Sequence, residues 1–336
     1  MTVNATYEGP TGLEIEHPLF DSNTVMLTPP ITEMFNAVRK LMLLRETNCC
    51  FTAPSGAGKT RALRMLEYLL TQRMPNLAIY LHNIQNHQTP SIRGFFKHFL
   101  TTVGHADKKG ETYDLRSRLS HRLADSARER ASRRVVLLID EANAMTLQDF
   151  QFLKDVGNDL DKEGVQLVTI MMGQDPEFSE VMNRLRDEKR LDLVGRFTRR
   201  PIPYRSYTSR DDIVEIFRQI DESHYPVDSG ISWTQFFLAS AWEDGFRMEN
   251  QVDGFLHAGE HCFHDDVSRV GYPAKQLFGA VRFFMVAAAD LLATGAKLDS
   301  AACSNAWSDA IDFALLESAV GDINAQKVKV RRRVRR

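Results

Sequence analysis

An α/β fold, with a parallel sheet flanked by helices and followed by an all-helical region, is what this 336-residue sequence predicts. Three observations predict it. A glycine-bearing loop, Ala53-Pro-Ser-Gly-Ala-Gly-Lys-Thr60, joins an apolar run to a helical pattern. Two uninterrupted apolar runs, residues 134–139 and 165–172, read as strands buried on both faces, with helical stretches around them. After Tyr204 the strand signals stop and helical periodicity alone continues.

Taken in order, residues 1–29 carry Gly9-Pro10 and Pro29-Pro30 and read as an extended strap. Ile31, Met34, Phe35, Val38, Leu41 and Met42 then recur at helical spacing. Residues 48–52 form the strand before the loop, and a helix starting near Lys59 continues with Leu63, Met65, Leu66 and Leu69. A short second strand is expected at residues 77–81, a Phe-rich helix at 91–103 and a longer helix at 113–130. Strand 134–139, a helix marked by Phe150, Leu153, Val156 and Leu160, strand 165–172 and a fifth strand at 198–204 complete the alternation. Such alternation implies right-handed crossovers in a parallel sheet. Helices are then expected at 211–220, 233–241, 252–264, 274–292 and 308–318, with Trp233, Phe236, Phe237, Leu238 and Trp242 packing their core.

With 43% hydrophobic and 26% charged residues, the composition is that of an ordinary globular protein. No apolar run approaches the ~18 residues of a membrane span, since residues 283–292 are broken by Asp290. Glu8, Glu14 and Glu16 take the place of a basic secretory leader. Cys49, Cys50, Cys262 and Cys303 have neither metal nor disulfide-framework spacing, so a reducing, cytoplasmic setting is expected. Residues 327–336 contain seven Lys/Arg and no acid, and removing them leaves 35 basic against 44 acidic residues, a net of −9. An acidic body with a basic, disordered tail suggests a polyanionic partner for the tail.

The loop has the layout of a phosphate-binding P-loop, with Ala53 where the pattern has glycine. Backbone N–H groups of Pro54-Ser55-Gly56-Ala57-Gly58 to Thr60 turn around a phosphate, apart from proline's missing donor, and the helix N-terminus adds positive partial charge. Lys59 can reach the β and γ oxygens, and the Thr60 hydroxyl can ligate Mg²⁺. Val135-Val-Leu-Leu-Ile-Asp140-Glu141-Ala142 supplies the second half. A buried strand ending in an acid delivers Asp140 to hold Mg²⁺, and Glu141 follows as the base that polarises a water. Together the two motifs imply a bound nucleoside triphosphate with Mg²⁺. Gln174, ending strand 165–172, is a candidate to orient that water or else a turn residue before Asp175-Pro176. Arg196 is the preferred arginine to reach a neighbouring subunit's γ-phosphate, with Arg199 and Arg200 as rivals.

Together these motifs resemble an AAA+ ATPase over about residues 30–290. The resemblance implies an AAA+ P-loop core followed by an all-helical lid domain. Within AAA+, Leu137-Leu-Ile-Asp-Glu-Ala142, Met172-Gly-Gln-Asp-Pro-Glu177, Thr28-Pro-Pro-Ile-Thr-Glu-Met-Phe35 and Ile92-Arg-Gly-Phe-Phe-Lys-His-Phe-Leu100 are similar to TniB/TnsC and MuB transposition regulators. ExeA-type secretion ATPases belong to the same branch. The resemblance implies a homo-oligomer, ring or helical filament, formed on double-stranded DNA. It also implies a DDE-type transposase and a TniQ-type targeting protein as partners, and no membrane. Lid arginines of the family sit in a Gly-x-x-Arg-like context. Here the stretch is Gly271-Tyr-Pro-Ala-Lys275, so that sensor role passes to Lys275 or is absent, with Arg282 as an alternative. Arg93, Lys97, Lys108 and Lys109 become the candidate DNA contacts, whereas Arg118 with Asp114 and Arg128 with Asp125 are expected to pair along a solvated helix face.

The implied division is a strap and helix at 1–45, an ATPase core at 46–205, a lid at 206–320 and a basic tail at 321–336. His257, His261, Cys262, His264 and Asp265 cluster without zinc-finger spacing and read as helix-face polar residues.

Overall fold

The computed structural model describes residues 16–21, 23–84, 91–198, 200–261, 271–316 and 318–319. The basic tail, Arg199, and Cys262, His264 and Asp265 lie outside them. Two compact units form: Pro30–Ser55 with Lys59–Tyr204, and Met1–Pro29 with Gly56–Gly58 and Arg205–Arg336.

The first unit is a five-stranded parallel sheet between helices. In chain order it holds α1 (Pro29–Leu43), β1 (Asn48–Ala53), α2 (Lys59–Arg73), β2 (Ala78–Asn83), α3 (Ile92–Thr102) and α4 (Thr112–Glu129). There follow β3 (Arg134–Asp140), α5 (Leu147–Lys162), β4 (Gln166–Gln174), α6 (Glu177–Asp187) and β5 (Pro201–Pro203). Strand order is β2-β3-β4-β1-β5, every pair parallel. Alternation within β3 divides the core. Val135, Leu137 and Ile139 join Phe96, Leu119, Phe150 and Leu153 in one apolar cluster, while Val136 and Leu138 are buried on the opposite face.

The expected fifth strand shrinks to three residues. Pro201 and Pro203 have no N–H to donate, which suits an edge strand, and Thr198 instead ends a wide helical turn over Val194–Thr198. Tyr204 N–H donates to Thr52 O at 2.7 Å, one pair beyond the strand. Helix α6 was not among the expected elements; Phe178, Val181, Met182 and Leu185 bury one side of it.

The second unit is helical from Arg210 on: α7 (Arg210–Glu222), α8 (Trp233–Phe237), α9 (Ala239–Glu243), α10 (Val252–His261), α11 (Ala274–Ala293) and α12 (Ser300–Phe313). Trp307 organises its core, stacked 4.0 Å from Phe284 and 5.6 Å from Phe217 between ring centroids, with Phe255 edge-on. Three expectations need correction. Residues 233–241 are two short helices broken at buried Leu238, whose backbone (φ −124°, ψ 48°) leaves the helical region. The last helix starts at Ser300 rather than near 308, because the Asp299 side chain caps it by accepting Ala302 N–H at 2.8 Å. Helix α11 is, by length and a mean hydropathy of 1.5, apolar enough to cross a membrane, contrary to the sequence expectation. Its Leu277, Ala280, Val281, Phe284, Met285 and Ala288 are instead buried in this unit's core.

Candidate nucleotide-binding site

The site is built from three strand ends. β1 leads into the loop, β4 beside it ends at Gln174, and β3 beyond β4 ends at Asp140. Ala53 pairs with Gln174 and Ile139 with Met171, so parallel register brings all three carboxyl ends to one sheet edge.

Ala53 closes β1, is 1% exposed, and its carbonyl accepts Asp175 N–H at 2.9 Å. A strand residue needs no left-handed backbone, which is why alanine serves there. The left-handed positions are Gly56 (φ 75°) and Gly58 (φ 86°). A Cβ at Gly56 would stand 3.3 Å from Gln276 Oε1, and one at Gly58 3.2 Å from Ala274 Cβ. Glycine leaves that cradle open for a phosphate. Pro54 and Gly58 are half-buried, Ser55 is exposed and Ala57 is buried.

Lys59 opens α2, is 8% exposed, and its Nζ donates to Gln174 Oε1 at 3.2 Å. Burial lowers its pKa, while the charges of Glu141, Asp140 and Glu177 oppose that shift. Asp140 is 1% exposed; its Oδ2 accepts the Thr60 hydroxyl at 2.6 Å and its Oδ1 accepts Glu141 N–H at 2.9 Å. A hydroxyl and a carboxylate held together at the end of a P-loop are the hard oxygen donors that suit Mg²⁺. The cradle, the desolvated ammonium and this oxygen pair fit a magnesium nucleoside triphosphate.

Glu141 has φ 54° and ψ 38°, a left-handed backbone uncommon for a residue with a side chain. It turns the chain from β3 into the short helical turn Ala142–Ala144. Asn143 in that turn donates through Nδ2 to Glu141 Oε2 at 3.3 Å and accepts Gln174 N–H on Oδ1 at 2.8 Å. Asn143 and Glu177 are site residues that the sequence reading missed. Gln276 Oε1 is buried without a hydrogen-bond partner. Gly173, before Gln174, admits the Phe178 ring; a Cβ there would lie 2.4 Å from Phe178 Cγ.

The other candidates are spread more widely. Arg196, in the Val194–Thr198 turn, reaches across to α5, its Nη1 donating to Asn158 Oδ1 at 2.7 Å and its Nη2 standing 3.5 Å from Asp161. Arg200 is exposed. Lys275 is exposed at the start of α11, and its backbone N–H donates to Gly56 O at 3.0 Å. Arg282 donates to Leu19 O in the strap at 3.5 Å. Lys97, Lys108 and Lys109 line one groove of about 520 Å³ along α3, with His98, Thr101 and Asp107. Arg93 turns to Gly110 O at 2.6 Å, with Glu111 3.8 Å away. Arg118 pairs with Asp107 at 3.1 Å rather than with Asp114, whose carboxylate instead accepts Glu111 N–H at the start of α4. Arg128 meets Asp125 at 3.2 Å as expected, and also Glu163 at 2.6 Å. Among the described residues no group of three or more His, Cys, Asp or Glu could hold a metal ion.

Residues 44–182 match the family model described as an AAA domain, a span containing Lys59, Thr60, Asp140, Glu141 and Gln174. No curated protein matches the chain. Among solved structures, Drosophila ORC bound to DNA is similar at 15% identity and a TM-score of 0.50, covering 93% of this chain and 70% of that one. Domain III of the Thermotoga maritima replication initiation protein DnaA aligns at 16% identity and a TM-score of 0.45, over 85% and 94%. The Aeropyrum pernix ORC1 protein in complex with DNA aligns at 15% and 0.44, over 80% and 71%. At such identities the likeness is one of fold. The parallel sheet with its helices is the AAA+ fold, and residues 44–182 are similar to an AAA domain.

Proposed function

We propose that this chain is an ATP-dependent, DNA-binding regulator of transposition. It oligomerises on duplex DNA with ATP bound, as a ring or helical filament, recruits a DDE-type transposase and is released by ATP hydrolysis. The observation that carries the nucleotide half is the joining of Lys59 to Gln174 and Thr60 to Asp140. Residues 54–60 hold the phosphates, and Thr60 with Asp140 hold Mg²⁺, which when bound neutralises triphosphate charge. Glu141 takes the proton of the attacking water, Gln174 orients that water, and Arg196 acts on the nucleotide of a neighbouring copy. To do so Arg196 has to leave Asn158 and Asp161. Lys275 serves as the lid sensor.

The DNA half rests on the groove in which Lys97, Lys108 and Lys109 converge, a polyanion-sized concentration of positive charge on an acidic body. Arg93, committed to Gly110 and Glu111, contributes by exchanging those partners for phosphate. A TniQ-type targeting protein is the further partner of this reading, and the tail at residues 327–336 is a second phosphate contact.

Co-sedimentation with duplex DNA, with and without a nonhydrolysable ATP analogue, tests it. DNA pelleting the protein only with the analogue, and never the Lys59→Ala variant, is the expected result. Binding that is absent or indifferent to nucleotide would sink the DNA reading and favour an ATPase that acts on protein assembly, as in the ExeA type.

A further inference from the structure

The Asn143 side chain connects two parts of the site that the chain itself keeps far apart. On one side it accepts the backbone N–H of Gln174, the last residue of β4, at 2.8 Å. On the other it donates to Glu141 Oε2 at 3.3 Å. Its orientation is fixed by chemistry. A backbone N–H can only donate, so the amide oxygen has to face Gln174 and the NH₂ has to face the Glu141 carboxylate.

Glu141 needs such a restraint. Its backbone is in a left-handed turn, and the buried ammonium of Lys59 is close enough for Glu141 to act on its charge. A carboxylate left unrestrained there would swing to the ammonium as an ion pair and be lost as a base. With Oε2 occupied by Asn143, Oε1 is the oxygen left to address a water. Gln174 is tied to the same frame, because its side-chain Oε1 accepts Lys59 Nζ at 3.2 Å while its N–H is held by Asn143.

We infer that Asn143 is a positioning residue for hydrolysis, holding the Glu141 carboxylate off Lys59 and in fixed relation to Gln174. The inference rests on the reading of Glu141 as the base. Asn143 touches no reacting atom; it acts through Glu141, whose carboxylate it holds in relation to Gln174.

Steady-state ATP turnover by the full chain tests it, with Asn143→Ala, Asn143→Asp, Glu141→Gln and the Asn143→Ala/Glu141→Gln double variant. Asn143→Asp keeps the acceptor for Gln174 N–H and loses the donor to Glu141, so it also guards against a fold defect in the alanine variant. Both Asn143 variants are expected to lose kcat by about tenfold or more, with KM for ATP within about threefold of the parent. In single-turnover assays the double variant should be no slower than Glu141→Gln, because the two residues act in one chain. Parent turnover in Asn143→Asp, a raised KM at unchanged kcat, a faster enzyme, or losses that add in the double variant would each overturn the inference. Parent-rate hydrolysis by Glu141→Gln would instead remove the assignment of the base itself.

Discussion

At Gly173 the absence of a side chain lets the Phe178 ring of α6 close over the end of β4, one residue before Gln174. A methyl group there would stand 2.4 to 2.7 Å from three Phe178 atoms, so Gly173→Ala forces ring and strand apart. Overpacking of this kind costs about 1–3 kcal/mol. The variant should show a lowered thermal midpoint by circular dichroism, and an unchanged midpoint would mean that Phe178 has room to move. Single residues also show where sequence was sufficient. Lys59, Thr60, Asp140 and Glu141 could be named as candidates because each lies in a short contiguous motif whose chemistry dictates its spacing. Asn143 was not, although it stands only two positions after Glu141. Its meaning comes from Gln174, 31 residues away, and nothing local marks that hydrogen bond.

Among the elements, the N-terminal strap is the one whose attachment depends on pH. His17 is fully buried, with Tyr225, Phe236 and Phe237 ring centroids 4.7 to 4.8 Å away and Trp233 at 5.3 Å. Its Nδ1 accepts Leu19 N–H, while Nε2 has no partner. Gln219 Nε2 further holds the strap by donating to Leu27 O at 2.5 Å. Burial lowers the His17 pKa from 6.5 to about 4. The unfolded chain therefore takes up the proton first as pH falls. Stability is fully present above about pH 6.5 and is lost progressively down to about pH 4, by on the order of 2–3 kcal/mol. His82, whose pKa burial and His98 lower to about 3, adds a parallel loss in the sheet unit. Hydrogen exchange at residues 16–21 should quicken on going from pH 7 to pH 5, after correction for the intrinsic rate. A His17→Phe variant should lose that change, and a pH-independent strap in the parent would contradict the argument. Elements with strong periodicity, such as α1, α7 and α11, were readable from sequence. Those set by caps and breaks were not: α12 begins where Asp299 caps it, and α8 ends where Leu238 leaves helical geometry.

For the whole molecule, charge is the quantity that joins sequence to function. The chain is close to neutral, yet three lysines 12 residues apart at most share one groove on α3 and the loop after it. The triple substitution Lys97→Ala/Lys108→Ala/Lys109→Ala should weaken DNA binding uniformly across sequences. It should also reduce the slope of log affinity against log salt by about 2–3, each phosphate contact contributing about 0.9. Titrations at several salt concentrations give that slope, and an unchanged one would place DNA elsewhere. ATP turnover without DNA should stay at the parent level, since none of the three lysines belongs to the nucleotide site.

The sequence by itself determined the sheet-and-helix alternation, the P-loop and the acid pair, because buried strands and phosphate loops impose local patterns of residue type. It also separated the sheet-forming part from the helical part near residue 205 by the end of strand signals. Tertiary structure alone decided that β4 lies between β1 and β3, which puts Gln174 against Lys59 and brings Asn143 to both Glu141 and Gln174. It alone decided that Arg196 rests on Asn158, that Arg93 turns away to Gly110, and that an apolar 20-residue helix is a core helix. The physical reason is common to all of these. Side-chain partners are chosen by which strand ends and helix faces the packing brings together, and no local periodicity encodes that choice.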